Sequence, residues 1–203
     1  MDLLNFKDEF ARLIRDLNDK GHSPATSTNY SFREIHGQIW ITRSGFDKSS
    51  AQASDFIEVD KNANAIRENT IPSAETKIHC ELYNLFNDCK VILHSHSLYP
   101  VIISELNEEH FKMNGYEIQK GFRGVNTHES NICIPILDNS QNMDEIVENM
   151  NNRKNELQTY SIILKKHGAY VWGTNLFEAK RHLETLNYLC EIEYKRALIY
   201  GYR

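Results

Sequence analysis

Residues 161–172 read Ser-Ile-Ile-Leu-Lys-Lys-His-Gly-Ala-Tyr-Val-Trp, and this stretch is the most informative about the fold. β-Branched and aromatic residues are frequent in both halves, which is typical of strands, and Gly168 lies where the chain can bend. The pattern predicts two consecutive strands hinged at Gly168. Strands that follow each other without a helix between them favour antiparallel pairing, because a parallel pair needs a long crossover.

Further strands and helices are predicted on both sides of this stretch. Apolar runs rich in β-branched residues predict strands at 38–42, 56–60, 91–96 and 132–136. Helical spacing of apolar residues predicts helices that begin near Leu3, Glu75, Tyr99, Asp144 and Asn175. Pro135 is expected to place its strand at an edge or an end of the sheet. We therefore predict one α/β domain over residues 1–203, with a central antiparallel or mixed sheet flanked by helices.

The composition is that of a folded chain and argues against several classes of partner. Of 203 residues, 40% are hydrophobic and 10% aromatic, too many for a disordered segment. Lys and Arg number 23 against 28 Asp and Glu, so a net charge of -5 disfavours binding to nucleic acid or an anionic membrane. The four cysteines form no Cys-x-x-Cys pair, and neither an ordinary signal peptide nor a long apolar run is present. We expect a soluble, cytoplasmic protein.

Two histidines, His94 and His96, share one face of a predicted strand. Side chains at positions i and i+2 leave a strand on the same side, so both imidazoles can reach a single metal ion. His167 is the best candidate for a third ligand, because it ends an apolar strand and precedes a glycine. Three imidazoles with one open position are typical of a catalytic zinc site. The alternative is a pair of polar residues on the exposed face of an edge strand.

Two glutamates compete for the role of general base beside such a metal. Glu75 begins a predicted helix directly after Pro72-Ser73-Ala74, where an acid is also stabilised by the helix dipole alone. Glu117 follows the histidine pair in a glycine-flanked segment, and its alternative is a solvated loop residue. The residues by themselves leave the choice open.

Three short segments have the composition of an anion site, namely Thr26–Ser31, Ser44-Gly45 and Ser73-Ala74. Backbone N–H groups and hydroxyls at small-residue turns and helix starts suit a phosphate group. None of the three matches a Walker loop or a dinucleotide fingerprint, so nucleotide cofactors are not expected. Each segment taken alone is more typical of an ordinary turn.

Taken in chain order, these segments resemble the class II aldolase/adducin family. The resemblance covers nearly the whole chain, and its most specific stretch is Lys-His-Gly-Ala-Tyr-Val-Trp-Gly at 166–173. Within the family the closer likeness is to dehydratases of a methylthio sugar phosphate, on the segments Pro72–Thr76, Gly115–Gly121 and Thr127–Glu129. One departure is that Thr28 precedes Asn29, where the family usually has Gly-Asn.

The resemblance implies a fold, a metal and an assembly. The fold is a central antiparallel sheet with helices on both sides, in a homotetramer. One Zn2+ per subunit is held by His94, His96 and His167. The implied phosphate and substrate site comprises Asn29, Ser44, Gly45, Ser73 and Glu75.

The resemblance also bears on the choice between the two glutamates. In dehydratases of the family the acid/base glutamate follows the His-x-His strand, which matches Glu117. In its sugar-phosphate aldolases the working glutamate begins a helix, which matches Glu75. The chain keeps both residues.

The implied activity is zinc-dependent dehydration of 5-methylthioribulose 1-phosphate to 2,3-diketo-5-methylthiopentyl 1-phosphate in methionine salvage. One alternative is a class II sugar-phosphate aldolase or epimerase, acting for example on fuculose or ribulose phosphate. Another is a non-catalytic assembly module like the adducin head domain. Retention of three histidines and both glutamates argues against the module.

Overall fold

The computed structural model describes residues 2–201, which form one eight-stranded sheet covered by helices. The strands are β1 (Tyr30–Arg33), β2 (Ile39–Thr42), β3 (Phe56–Val59), β4 (Val91–Ser95), β5 (His110–Met113), β6 (Ile132–Leu137), β7 (Ser161–Leu164) and β8 (Gly168–Gly173). The α-helices are α1 (Leu3–Asp19), α2 (Thr76–Leu85), α3 (Leu98–Leu106), α4 (Met143–Asn152) and α5 (Leu176–Tyr200). Within the described range, none of the helices has the length and apolar character needed to cross a membrane.

The strands lie in the order β3-β2-β1-β4-β8-β7-β6-β5. Every neighbouring pair is antiparallel except β6 and β7, which run parallel. The expected mixed sheet flanked by helices is confirmed, and so is the antiparallel pair formed by β7 and β8.

Alternate side chains of the central strands fill two apolar cores, one on each face of the sheet. In β4, Val91 and Leu93 join the core under α1, α3 and α5, whereas Ile92 joins the core under α2 and α4. In β8, Val171 and Trp172 divide between the two cores in the same way. The parity of a residue along its strand therefore decides which layer its side chain enters.

The turn between β7 and β8 is fixed by close contact with β4. The chain leaves β7 at Leu164, reverses, and begins β8 at Gly168 opposite Leu164. A Cβ atom on Gly168 would lie 2.1 Å from the backbone carbonyl oxygen of Ser95. Glycine is thus required for β8 to approach the end of β4, and this approach brings His167 beside His94 and His96.

The sheet differs from the sequence-based expectation at three strands. Strand β1 begins at Tyr30, inside the segment 26–31 that is typical of a turn. Its Ser31 is a buried polar residue whose hydroxyl forms hydrogen bonds with His79 and Tyr83. Strand β5 is a four-residue edge strand, too short for its pattern to predict.

The third difference concerns Pro135. Strand β6 is an interior strand and not the expected edge strand. It pairs with β5 along Ile132–Pro135 and with β7 only beyond the proline, at Ile136 and Leu137. An interior position is possible because the ladder to β7 starts after the residue that lacks an N–H group.

Candidate metal centre

His94 and His96 project together from the end of β4, as their spacing predicts. The two Nε2 atoms lie 2.8 Å apart, and the ring centroids are 4.7 Å apart. His94 is fully buried, because its ring stacks on that of Tyr170, its partner residue in β8, at a centroid distance of 4.0 Å.

His167 completes the group from the turn that precedes β8. Its ring centroid lies 5.0 Å from that of His94 and 4.5 Å from that of His96. Its Nε2 lies 3.2 Å from a carboxylate oxygen of Glu75, and the other oxygen of Glu75 lies 3.4 Å from Nε2 of His94. One ligand atom from each of the four residues falls within 4.8 Å of all the others.

The outer nitrogens of two of the imidazoles are held by acceptors. Nδ1 of His94 donates to the backbone carbonyl of Ala169 at 3.1 Å. Nδ1 of His167 lies 3.1 Å from Oδ1 of Asn139, which accepts its proton. This second layer of hydrogen bonds turns Nε2 of each ring toward the centre of the cluster, the arrangement that metal-binding histidines usually adopt.

The electrostatics of the group favour neutral imidazoles beside an ionised carboxylate. Burial lowers the pKa of His94 well below its ordinary value, and burial with the neighbouring His167 lowers the pKa of His96 to about 4. Burial acts to raise the pKa of Glu75, but hydrogen bonding with His167, the field of His94 and the Asn29 amide outweigh it, so this pKa lies below its usual range. A metal ion binds the neutral form of histidine and the ionised form of glutamate.

These four residues fit a divalent transition metal ion. Three imidazole nitrogens and one carboxylate oxygen are ligands that Zn2+ accepts, and Fe2+, Co2+ and Mn2+ accept them as well. Acceptor atoms that converge this closely in a partly buried position are stabilised by a cation placed between them. The donor set therefore supports metal binding.

Two of the three predicted phosphate segments meet beside Glu75, and the third is joined to them by a backbone hydrogen bond. The side-chain nitrogen of Asn29 donates to Glu75 and lies 3.4 Å from Oγ of Ser73. The backbone N–H of Ser44 donates to the carbonyl of Ile71 at 3.2 Å, which joins the Ser44-Gly45 turn to the segment that leads into Ser73. Asn29 and Ser73 therefore lie beside Glu75, and the Ser44-Gly45 turn is joined to the segment that leads to Ser73.

The turn before Asn29 has a backbone conformation that suits glycine. Thr28 has a φ of 78°, in the left-handed region that glycine adopts without strain. Ala25 and Thr26 also have positive φ values, and the ammonium group of Lys48 donates to the carbonyl of Thr26 at 3.0 Å. Threonine at position 28 therefore adopts a strained backbone conformation.

Glu117 lies apart from this cluster. It begins a short 3-10 helix, Glu117–Gly121, and its side chain is 73% exposed, paired with Lys120 and 3.7 Å from His128. The hydrogen bond from Lys120 is the main cause that lowers the pKa of Glu117. Strand β5 ends at Met113, opposite the start of β6, whereas the histidines lie at the other end of the strands. One copy of the chain does not bring Glu117 to the histidines.

Sequence reasoning missed three residues that support the cluster. His79 follows Glu75 by four positions on α2, a spacing that predicts a shared helix face, and it lies in hydrogen-bond contact with Asn29. Tyr170 lies opposite His94 through strand pairing, and Asn139 follows β6. The last two could not be assigned to the site from local sequence, because only the tertiary fold brings them beside the histidines.

The chain is similar to known proteins over almost its full length. Residues 8–194 match the family described as Class II Aldolase and Adducin N-terminal domain. A methylthioribulose-1-phosphate dehydratase of Picosynechococcus sp. is 40% identical over 197 residues, 95% of this chain and 93% of that protein. A protein of the same name from Xylella fastidiosa is 35% identical over 191 residues, 93% of this chain and 88% of that protein.

Solved structures show the same fold at lower identity. L-fuculose-1-phosphate aldolase from Thermus thermophilus superposes with a TM-score of 0.76 at 23% identity, covering 95% of each chain. YgbL from Klebsiella pneumoniae, a putative aldolase/epimerase/decarboxylase by its description, gives a TM-score of 0.81 at 20% identity, covering 96% of this chain and 91% of that one.

Proposed function

The chain belongs to the class II aldolase and adducin family, and we propose that it is a metal-dependent lyase that dehydrates 5-methylthioribulose 1-phosphate. The product would be 2,3-diketo-5-methylthiopentyl 1-phosphate, an intermediate of methionine salvage. The observation that carries the proposal is the meeting of three imidazoles with Glu75 beside Asn29, in a chain whose relatives are dehydratases of this name. A sugar-phosphate aldolase is less favoured, because the aldolases share the fold at lower sequence identity.

We propose zinc as the metal, with one ion held by His94, His96 and His167 of each subunit. When bound, such an ion acts as a Lewis acid that polarises a carbonyl group and makes the neighbouring C–H bond acidic. The two oxygens of Glu75 already face His167, His94 and Asn29, so this carboxylate is a weak base. Glu75 therefore fits a role in holding the centre better than a role in proton transfer.

The phosphate group of the substrate is proposed to bind at the rim formed by Asn29, Ser44, Gly45 and Ser73. Ser73 Oγ accepts from the backbone N–H of Glu75 at 3.3 Å and lies near the Asn29 amide, so its own proton is free to be donated. Hydroxyl, amide and backbone donors at a turn bind phosphate oxygens through geometry as much as through charge.

Glu117 is the proposed acid/base residue. The reaction removes the proton from C3 and expels the C4 hydroxyl as water, and the resulting enol tautomerises to the diketone. A carboxylate can take the C3 proton and return a proton to the departing hydroxyl. Because Glu117 lies away from the histidines of its own copy, this role requires a neighbouring copy, and we propose a homotetramer that supplies it.

Two matched variants test these roles, with metal content and turnover measured on the same preparations. Glu117→Gln is expected to retain its metal and lose turnover by about 100-fold or more, the usual contribution of a general acid/base. Glu75→Gln is expected to lose metal together with turnover. Wild-type turnover in Glu117→Gln would refute the assignment, and a fully metallated but inactive Glu75→Gln would transfer the acid/base role to Glu75.

A further inference from the structure

A ladder of buried hydrogen bonds extends from Glu75 into the protein. Glu75 accepts from the Asn29 amide, whose oxygen contacts Nε2 of His79. Nδ1 of His79 lies 2.7 Å from Oγ of Ser31, which in turn lies 2.7 Å from the hydroxyl of Tyr83. These five residues form the Glu75–Tyr83 ladder.

The ladder arises because a helix and a strand match in spacing. Glu75 caps the start of α2, and His79 and Tyr83 follow it at intervals of four residues. Successive members of this series are therefore about 6 Å apart along the helix axis. Asn29 and Ser31 are two residues apart at the start of β1, about 6.6 Å along a strand. The side chains of Asn29 and Ser31 therefore fit between successive side chains of the helix series, and neighbouring polar groups form hydrogen bonds.

The direction of every hydrogen bond in the ladder follows from its end at Glu75. A carboxylate only accepts, so the Asn29 amide must turn its NH2 toward Glu75 and its oxygen toward His79. That oxygen accepts from Nε2–H of His79, which leaves Nδ1 of the neutral ring as an acceptor. Ser31 then donates to Nδ1 and accepts from the hydroxyl of Tyr83.

Four of the five residues in the ladder are shielded from water. His79 and Ser31 have no exposed surface, Tyr83 is 1% exposed and Asn29 is 4% exposed. Burial also lowers the pKa of His79 to about 3, so the ring remains neutral at physiological pH. A buried polar group without its partner is costly, so each buried member is stabilised by the hydrogen bond to its neighbour.

We propose that His79 is a positioning residue that orients the Asn29 amide, so that its NH2 group faces Glu75 and the phosphate rim. This inference deepens the proposed function, because the phosphate role of Asn29 rests on it. A reversed amide would direct its oxygen at the Glu75 carboxylate and at the substrate phosphate, and both contacts would be repulsive. Nε2–H of His79 disfavours that reversal in addition to Glu75, because a reversed amide would turn its NH2 group against this N–H donor.

Two substitutions of His79 separate orientation from simple packing. Glutamine places an amide nitrogen near the position of Nε2, whereas asparagine places one near Nδ1. His79→Gln is expected to retain KM within about threefold of wild type, and His79→Asn is expected to raise KM for the sugar phosphate by about tenfold, the effect of one lost hydrogen bond. Equal KM values for the two variants would overturn the proposal.

Tyr83→Phe is the control within the same ladder. It removes the last donor but leaves Ser31 able to donate to His79, so KM is expected to stay near that of wild type. A rise in KM equal to that of His79→Asn would show that general loosening of the core, and not amide orientation, causes the effect. Metal content and thermal unfolding, measured for all three variants, identify any that fail to fold.

A spectroscopic measurement tests the inference without turnover. Nitrogen chemical shifts of histidine distinguish a protonated Nε2 from a protonated Nδ1. The resonances of His79 are identified as those that disappear in the His79→Gln variant. In wild-type protein, we expect His79 to carry its proton on Nε2 at neutral pH. A proton on Nδ1 would overturn the orientation proposal even if the enzyme is active, whereas an Nε2–H form in a protein inactive on the proposed substrate would refute only the proposed function.

Discussion

Thr28 is strained, because its backbone lies in the left-handed region. Thr28 is a β-branched residue with a backbone φ of 78°, and such a conformation costs on the order of 1–2 kcal/mol. Its hydroxyl recovers part of that cost by donating to Oγ of Ser23 at 3.0 Å. The residue therefore combines a strained backbone with a compensating hydrogen bond.

Substitution of Thr28 separates these two contributions. Thr28→Gly removes both the strain and the hydrogen bond, so its free energy of unfolding is expected within about 1 kcal/mol of wild type. Thr28→Val keeps the strain and loses the bond, and is expected to be less stable than Thr28→Gly by about 1 kcal/mol or more. Denaturant unfolding measures both, and a valine variant as stable as the glycine variant would contradict the account.

Lys48 gives the protein a pH dependence with a definite sign. Its ammonium group is buried and donates to the carbonyls of Thr26 and Phe46, and burial lowers its pKa from 10.5 to about 8. The folded state therefore binds fewer protons than the unfolded state between these two pH values. By linkage, the contribution of Lys48 to stability rises as the pH increases from about 8 to about 10.5, by up to about 3 kcal/mol.

Lys48→Met is expected to lose this rise. The free energy of unfolding of both proteins, measured at pH 8 and pH 10, gives the two slopes, and the methionine variant should have the flatter one. Lys7, whose pKa is also lowered to about 8, is present in both proteins and cancels in the comparison. Equal slopes would show that Lys48 titrates normally in the folded state.

Among the secondary-structure elements, the β7–β8 hairpin illustrates what sequence can predict. Its apolar runs, its glycine and the position of His167 at the end of a strand are local features, and the structure confirms the hairpin. In the structure His167 lies close to His94 and His96. Strand β1 could not be predicted, because its buried Ser31 is polar and its partners, His79 and Tyr83, lie on a helix distant in sequence. Asn139 and Tyr170 likewise reach the site only through the order of strands in the sheet.

The contact between Gly168 and β4 predicts a selective loss of the metal centre. Gly168→Ala would force its Cβ against the carbonyl oxygen of Ser95, so the turn carrying His167 must move away. We expect destabilisation of about 2 kcal/mol or more and a large drop in metal content. Gly37→Ala is the control, because Gly37 has a positive φ but open space around it, so it should lose some stability and keep its metal. Full metal content in Gly168→Ala would contradict this explanation.

At the scale of the whole molecule, the separation of Glu117 from the histidines predicts complementation between copies. His94→Ala lacks the metal centre and Glu117→Gln lacks the acid/base residue, so each alone is expected to be inactive. If neighbouring copies share each site, mixed oligomers formed by joint refolding should regain roughly a quarter of wild-type turnover, since half of the copies supply each part. Inactive mixed oligomers, verified by mass, would show that Glu117 does not serve a neighbouring site.

The mass of the reaction products distinguishes metal-dependent dehydration from the alternative activities. Metal-loaded protein would be incubated with 5-methylthioribulose 1-phosphate and the products analysed by mass spectrometry, with and without a chelator. We predict a product lighter than the substrate by one water, formed by the metal-loaded protein and absent after chelation. Cleavage into dihydroxyacetone phosphate and a methylthio aldehyde would contradict the account and indicate an aldolase, and unchanged substrate would contradict it as well.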